Sequence, residues 1–239
     1  MSGHSHFSTI KRAKEITDKK RGKIFSKLAK MISIAAKTGL PDPASNPKLR
    51  MAVEKAREVN MPKDNIERAI KKGSGELEGD KLEEVIFEGF GPAGIALIIT
   101  GITDNKNRML GEIKQILNQN NGKMAGEGAV KWMFERKGAI VITTDANTNK
   151  EELEMKAIEA GAEDINWHDN TLDVYTKTEN LEAVKKSLEE KGLKIESSSL
   201  DFVAKEQVEL DDKKKNSCNK LFEALDENDD VQDIYANIK

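Results

Sequence analysis

Apolar residues recur with two different periods along the chain, and the change falls near residue 75. Before that point they return every three or four positions. Ile24, Phe25, Leu28, Met31, Ile32, Ala35 and Ala36 form one stripe, which predicts an amphipathic helix running to about Thr38. Thr17 or Asp18 is placed to cap it, and Gly39 with Pro41 to stop it; residues 1–16 read as a polar, basic lead-in. Asn46-Pro47 offers an N-cap and a first-turn proline. They open a second helix whose inner face is Leu49, Ala52, Val53, Ala56 and Val59. Pro62 opens a third, with Ile66, Ala69 and Ile70 inward and Gly73 at the C-cap position. None of the three buries its stripe alone, so a three-helix bundle is expected.

Gly73-Ser74-Gly75 and the acidic stretch from Glu76 to Asp80 read as a linker, after which strand-like runs take over. Segments 84–90 and 95–100 flank Gly91-Pro92-Ala93-Gly94 as a hairpin. Thr103 is expected to cap a helix through about Leu117, followed by the turn-rich 118–122 and a strand at 130–135. Next come a strand (139–144), a helix (150–160), two strands (164–167 and 172–175), a helix (181–191) and a strand (193–198). That order is βαββαβ, the ferredoxin-like unit. A strand around 202–208, a helix around 211–225 and a strand at 231–238 remain. The expected fold class is therefore α+β with three domains. These are an N-terminal three-helix bundle (1–75), a discontinuous α/β domain (80–136 and 201–239) and an inserted ferredoxin-like βαββαβ domain (137–200).

Composition narrows the chemistry. Of 239 residues 37% are hydrophobic and only 5% aromatic, so the cores are aliphatic. A single cysteine, Cys218, excludes an intramolecular disulfide and any Cys-based zinc site, and suits a reducing compartment. No secretory segment follows Met1, and the longest apolar run, Ile95 to Ile99, is strand-sized. A soluble cytoplasmic protein with no membrane partner is expected. The net charge of −3 conceals an asymmetry. Residues 1–72 hold 18 Lys+Arg against 7 Asp+Glu, a balance of +11, while the remainder holds 21 against 35, a balance of −14. Such a split points to a polyanion bound at the N-terminal end.

Three basic signatures supply candidate contacts. The first carries Lys11, Arg12 and Lys14. The second carries Lys19, Lys20, Arg21 and Lys23, and Lys27 and Lys30 extend it along the same helix. The third, residues 60–73, carries Lys63, Asn65, Arg68, Lys71 and Lys72. Cations on one helix face beside a basic arm suit phosphate contacts. Asn65 and Arg68, three apart on a helix, can direct hydrogen bonds to bases or riboses. A solvated helix surface is the plainer alternative, and the charge balance favours nucleic acid. Lys106 and Arg108 beside a helix start are a possible second phosphate contact, with an ordinary capped helix as the alternative.

These segments resemble the YebC family, whose mitochondrial members include the translational activator of cytochrome c oxidase I. The resemblance covers essentially the whole chain. It rests on Gly3-His4-Ser5, KKRGKIF at 19–25, Asn46-Pro47 with Leu49-Arg50, and NMPKDNIERAIKKG at 60–73. It continues through EGFGP at 88–92, TDNKNR at 103–108 and FERKG at 134–138. Phe7 stands where the family usually has tryptophan, and Ala129 where it often has the serine of Gly-Ser-Val. The resemblance implies a helical N-terminal domain followed by two α/β domains, a cytoplasmic location, and regulation of transcription. It also implies a rival role, that of a translation factor binding ribosomal RNA and relieving stalls at the ribosome.

Other readings are weaker. His4 and His6 lack a third ligand nearby, so no metal is expected. His168 reads as an exposed turn residue. Gly89 to Gly94 and Gly122 to Gly128 lack the spacing of a nucleotide-binding loop; the second reads as a mobile loop. No catalytic constellation assembles, so neither an enzyme nor a cofactor is expected. A small-ligand sensor built on the βαββαβ unit is the remaining alternative. The partner expected is DNA or ribosomal RNA, bound by a monomer.

Overall fold

The computed structural model describes residues 18–79, 81–145, 148–168 and 170–239, with side chains from Arg21 onward. Three helices open it: α1 (Asp18–Thr38), α2 (Pro47–Glu58) and α3 (Lys63–Ser74). After them come β1 (Glu83–Phe90), β2 (Ala96–Thr103), α4 (Lys106–Gln119), β3 (Lys123–Met124), β4 (Phe134–Thr143) and α5 (Lys150–Ala160). The chain continues through β5 (Asp164–His168), β6 (Thr171–Thr176), α6 (Leu181–Glu190), β7 (Ile195–Ala204), α7 (Asp212–Asp226) and β8 (Val231–Ala236). The class is mixed α+β. None of the described helices is long and apolar enough to cross a membrane.

The stripes predicted for α1, α2 and α3 meet in one aliphatic core that includes Leu28, Ile32, Leu49, Val53, Ala56, Ile66 and Ala69. Ile32 and Leu49 are fully buried, each worth about 1.5–3 kcal/mol relative to exposure. Asn46 joins two helix ends. Its Oδ1 accepts from the Leu49 N–H at 3.1 Å to cap α2. Its Nδ2 donates to the carbonyls of Ala35 at 2.9 Å and Leu40 at 2.8 Å, closing the end of α1. One buried amide thus satisfies orphaned groups on both helices.

Gly73 is not the C-cap. The helix continues to Ser74, and Gly75 takes the left-handed cap at φ 84°. Gly73 instead lies where α3 crosses α1. A Cβ there would stand 2.2 Å from the Ser33 carbonyl oxygen and 2.8 Å from the Ala36 Cβ. The Ser33 hydroxyl donates to the Ala69 carbonyl at 2.8 Å across the same crossing. Alanine in a helix interior normally stabilises by about 0.5–1 kcal/mol over glycine. Here Gly73→Ala is expected to destabilise by about 1–3 kcal/mol through overpacking, seen as a lower urea midpoint. A midpoint at or above the wild-type value would contradict this close crossing.

The first sheet has the order β3-β1-β2-β8. The predicted hairpin is present, with Glu83 opposite Thr103 and Phe90 opposite Ala96. Ala96 to Ile99 are buried in the central strand β2, which explains the unbroken apolar run. Thr103 ends β2 rather than capping α4; Asn105 is the cap, its side chain accepting from the Arg108 N–H at 3.0 Å. The expected mobile loop before β4 is tied down. Glu88, buried in β1, accepts from the Gly128 and Val130 N–H groups, both at 2.7 Å, and its carbonyl accepts from the Ala125 N–H at 2.9 Å. Glu88→Ala removes two charge-assisted bonds and is expected to cost roughly 3 kcal/mol. The Gly128 and Val130 amides should then exchange faster with solvent; unchanged exchange would mean that the loop is held by something else.

The second sheet has the order β5-β6-β4-β7, every neighbour antiparallel. With α5 and α6 in sequence between its strands, this is the expected βαββαβ arrangement. Two of its strands, the inner β4 and the edge β7, are longer than predicted. The strands expected at 130–135 and 139–144 are a single β4, and those at 193–198 and 202–208 a single β7. The expected strands leave gaps at 136–138 and 199–201. Their pairing, from Phe134 opposite Ala204 to Ile142 opposite Ile195, carries both strands through them. The described residues of 131–210 with 235–239 form one compact unit, and those up to 130 with 211–234 form the other.

Candidate nucleic-acid interface

Helix α3 buries Ile66 and Ala69 against the bundle, and that orientation turns its basic residues outward. Lys63, Arg68, Lys71 and Lys72 are exposed and Asn65 is half-buried. At 100° per residue, Asn65, Arg68 and Lys72 share one side of the outer face and Lys71 lies beside them. Lys63 pairs loosely with Glu67 at 3.4 Å. Lys71 and Lys72 occupy the last turn, where the helix dipole also favours cations. Arg21, in the first turns of α1, is exposed as well. Lys11, Arg12 and Lys14, with His4 and His6, lie outside the described residues, as do the side chains of Lys19 and Lys20.

The rest of the α1 row is differently placed. Lys23, Lys27 and Lys30 were expected to face a polyanion from off the apolar stripe; instead they meet the acidic turn after α7. The Lys23 ammonium donates to the Glu227 carboxylate at 2.5 Å and the Glu227 carbonyl at 2.8 Å. Lys27, which is buried, reaches the Asp226 carboxylate and carbonyl, each at 2.8 Å. Lys30 reaches the Asp230 carboxylate at 2.5 Å and the Asp229 carbonyl at 3.0 Å. Cations at the C-terminal end of α7 also meet its dipole favourably.

Arg108 departs from its expected role for the same reason. Its guanidinium donates to Asp104 at 2.6 Å and Asp230 at 2.9 Å, so two carboxylates occupy the group proposed to hold a phosphate. Its pKa is pushed further up by the bond it donates to Asp230 and then by the one it donates to Asp104. Asp230 is the hub. Burial acts to raise its carboxyl, but bonds from Lys30, Arg108 and the Thr103 hydroxyl, the last at 2.8 Å, outweigh burial and hold it below the ordinary aspartate range. Lys106 remains exposed at the start of α4.

The acidic residues Asp226, Glu227, Asp229 and Asp230 were not anticipated as part of this site. The sequence carries a signal for them: the run DENDD closes an amphipathic helix in the acidic part of a chain whose N-terminal helix is basic. His168 is also displaced from its expected setting. It ends β5 half-buried, with Nε2 3.3 Å from Oδ2 of the fully buried Asp173. Cys218 is buried in α7, and burial pushes its thiol pKa up.

A family profile described as the TACO1/YebC protein N-terminal domain matches residues 5–76, and one described as the TACO1/YebC second and third domain matches residues 82–238. This chain belongs to the TACO1/YebC family. Among its TACO1/YebC relatives is a protein of Chlorobium luteolum that is 48% identical over 100% of this chain and 96% of its own. Another, from Halothermothrix orenii, is 46% identical over 99% of this chain and 94% of its own. Both carry the description "Probable transcriptional regulatory protein". The crystal structure of a conserved hypothetical protein of Aquifex aeolicus matches with a TM-score of 0.88 at 42% identity, covering 98% of this chain and 97% of that one. The two profile matches meet at the segment between 76 and 82, where the sequence predicts a linker.

Proposed function

We propose that this protein is a non-enzymatic, nucleic-acid-binding regulator of gene expression of the DNA-binding transcriptional type, with residues 1–75 as its binding domain. The observation that carries this reading is the outer face of α3, where Arg68, Lys71 and Lys72 stand exposed beside Asn65. In the same unit, Lys23, Lys27, Lys30 and Arg108 are each bonded to carboxylates. Phosphate contacts from such cations supply affinity, and a directional amide beside them supplies orientation. The +11 balance of residues 1–72 and the description borne by the relatives agree with this reading.

Crosslinking the protein to nucleic acid in cells and sequencing what is recovered tests the proposal. Enrichment of discrete DNA segments is the expected result. Enrichment of ribosomal RNA instead would replace the transcriptional reading with the translational one, which uses the same phosphate chemistry. Recovery of neither would remove the proposal.

A further inference from the structure

Lys23, Lys27 and Lys30 lie four and then three residues apart, so their side chains form a row about 10 Å long on one side of α1. Each ammonium holds one carboxylate and one backbone carbonyl from residues 226–230. Each lysine along the row thus already holds an anion, the partner that a phosphate would otherwise supply. We infer that the acidic turn after α7 is an internal competitor for nucleic acid, occupying the α1 lysine row and holding a second polyanion-binding surface in reserve.

The inference deepens the proposed function and rests on it, since it concerns how much of the basic surface nucleic acid can reach. The chain itself supplies both sides of the contact. Glu227 is largely exposed, with 64% of its side chain open, and Lys23 retains 28%. That end of the row is therefore the first place where a polyanion competes on equal terms with the turn. Lys27 and Asp226, with 5% and 27% exposed, form the inner and firmer part. Displacement therefore proceeds from Glu227 inward. Binding observed for the closed form underreports the affinity of the open one, in proportion to the fraction open.

A double-substitution cycle tests this on the full chain. Binding of a mixed-sequence DNA duplex and of an RNA stem-loop is measured across a salt series for the wild type, Asp226→Asn/Glu227→Gln, Lys23→Gln, and the triple combination. Neutralising the turn is expected to tighten binding by a factor within the range of about 5–150 typical of internal coupling. It should also steepen the log–log salt slope by about 1 to 2 as Lys23 and Lys27 gain phosphates. Lys23→Gln should be nearly silent in the wild type, where the lysine is occupied, and should cancel part of the gain in the neutralised chain.

If Lys23→Gln costs the same in both backgrounds, the gain comes from long-range charge alone and the inference is overturned while the binding reading stands. If no form binds either probe, the reading itself falls and takes the inference with it. Circular dichroism checks folding, and the exposed Glu227→Gln alone serves if the double variant unfolds: an unchanged affinity and slope for it overturns the inference. The RNA arm reports which source of phosphate uses the surface.

Discussion

Asp230→Ala is expected to destabilise the protein by roughly 3 kcal/mol, the lower edge of what removing one partner from a buried charge pair costs. Asp230 keeps only 7% of its side chain exposed, whereas Lys30 and Arg108 keep 22% and 45% and can recover some water. The loss should appear as a lowered melting temperature and denaturant midpoint. Asp230→Asn keeps an acceptor for the Thr103 hydroxyl and should fall between the two. Acid should act in the same direction. The folded carboxyl lies below the ordinary value of 3.8, so its contribution is complete above that pH and is lost as pH falls below it through the folded pKa. The wild type should therefore lose stability below about pH 4 more steeply than Asp230→Asn. An alanine variant as stable as the wild type would show that Asp230 does not hold Lys30 and Arg108.

Replacing Lys63, Arg68, Lys71 and Lys72 together with Glu is expected to reduce nucleic-acid binding about a hundredfold or more. Each lost phosphate contact should remove about 1 from the salt slope. The fold should survive, because all four side chains are exposed and the bundle core is built from Ile66, Ala69 and their partners on the opposite side. Native thermal melting alongside undiminished binding would exclude α3 as the interface. Loss of melting cooperativity would instead mean that these residues hold the bundle together, and an Arg68→Gln/Lys72→Gln pair would then separate the two effects.

The features that the sequence disclosed are those set locally. The α1 to α3 stripes, the Asn46 cap and the βαββαβ order follow from spacing, capping chemistry and period, which neighbouring residues determine. What it concealed depends on partners distant in the chain. Gly73 looks like a cap until α1 is laid against it, and the strands expected at 130–135 and 139–144 look separate until β7 pairs across both. The same holds for the candidate site. Exposure of the α3 cations was legible because Ile66 and Ala69 orient the helix. The fate of Lys23, Lys27 and Lys30 was not, because their partners lie about 200 residues away, at separations of 204, 199 and 200. Charge sums record the imbalance but not which cations are already paired.

The central claim is that phosphate contacts from the exposed α3 cations bind this protein to nucleic acid. Titrating wild-type binding to duplex DNA against salt tests it most directly. The expected result is a linear fall of log affinity with log salt, with a slope of about −0.9 for each phosphate contacted, reduced by the α3 substitutions. An affinity that does not change with salt, or a slope that the α3 substitutions leave intact, would contradict it.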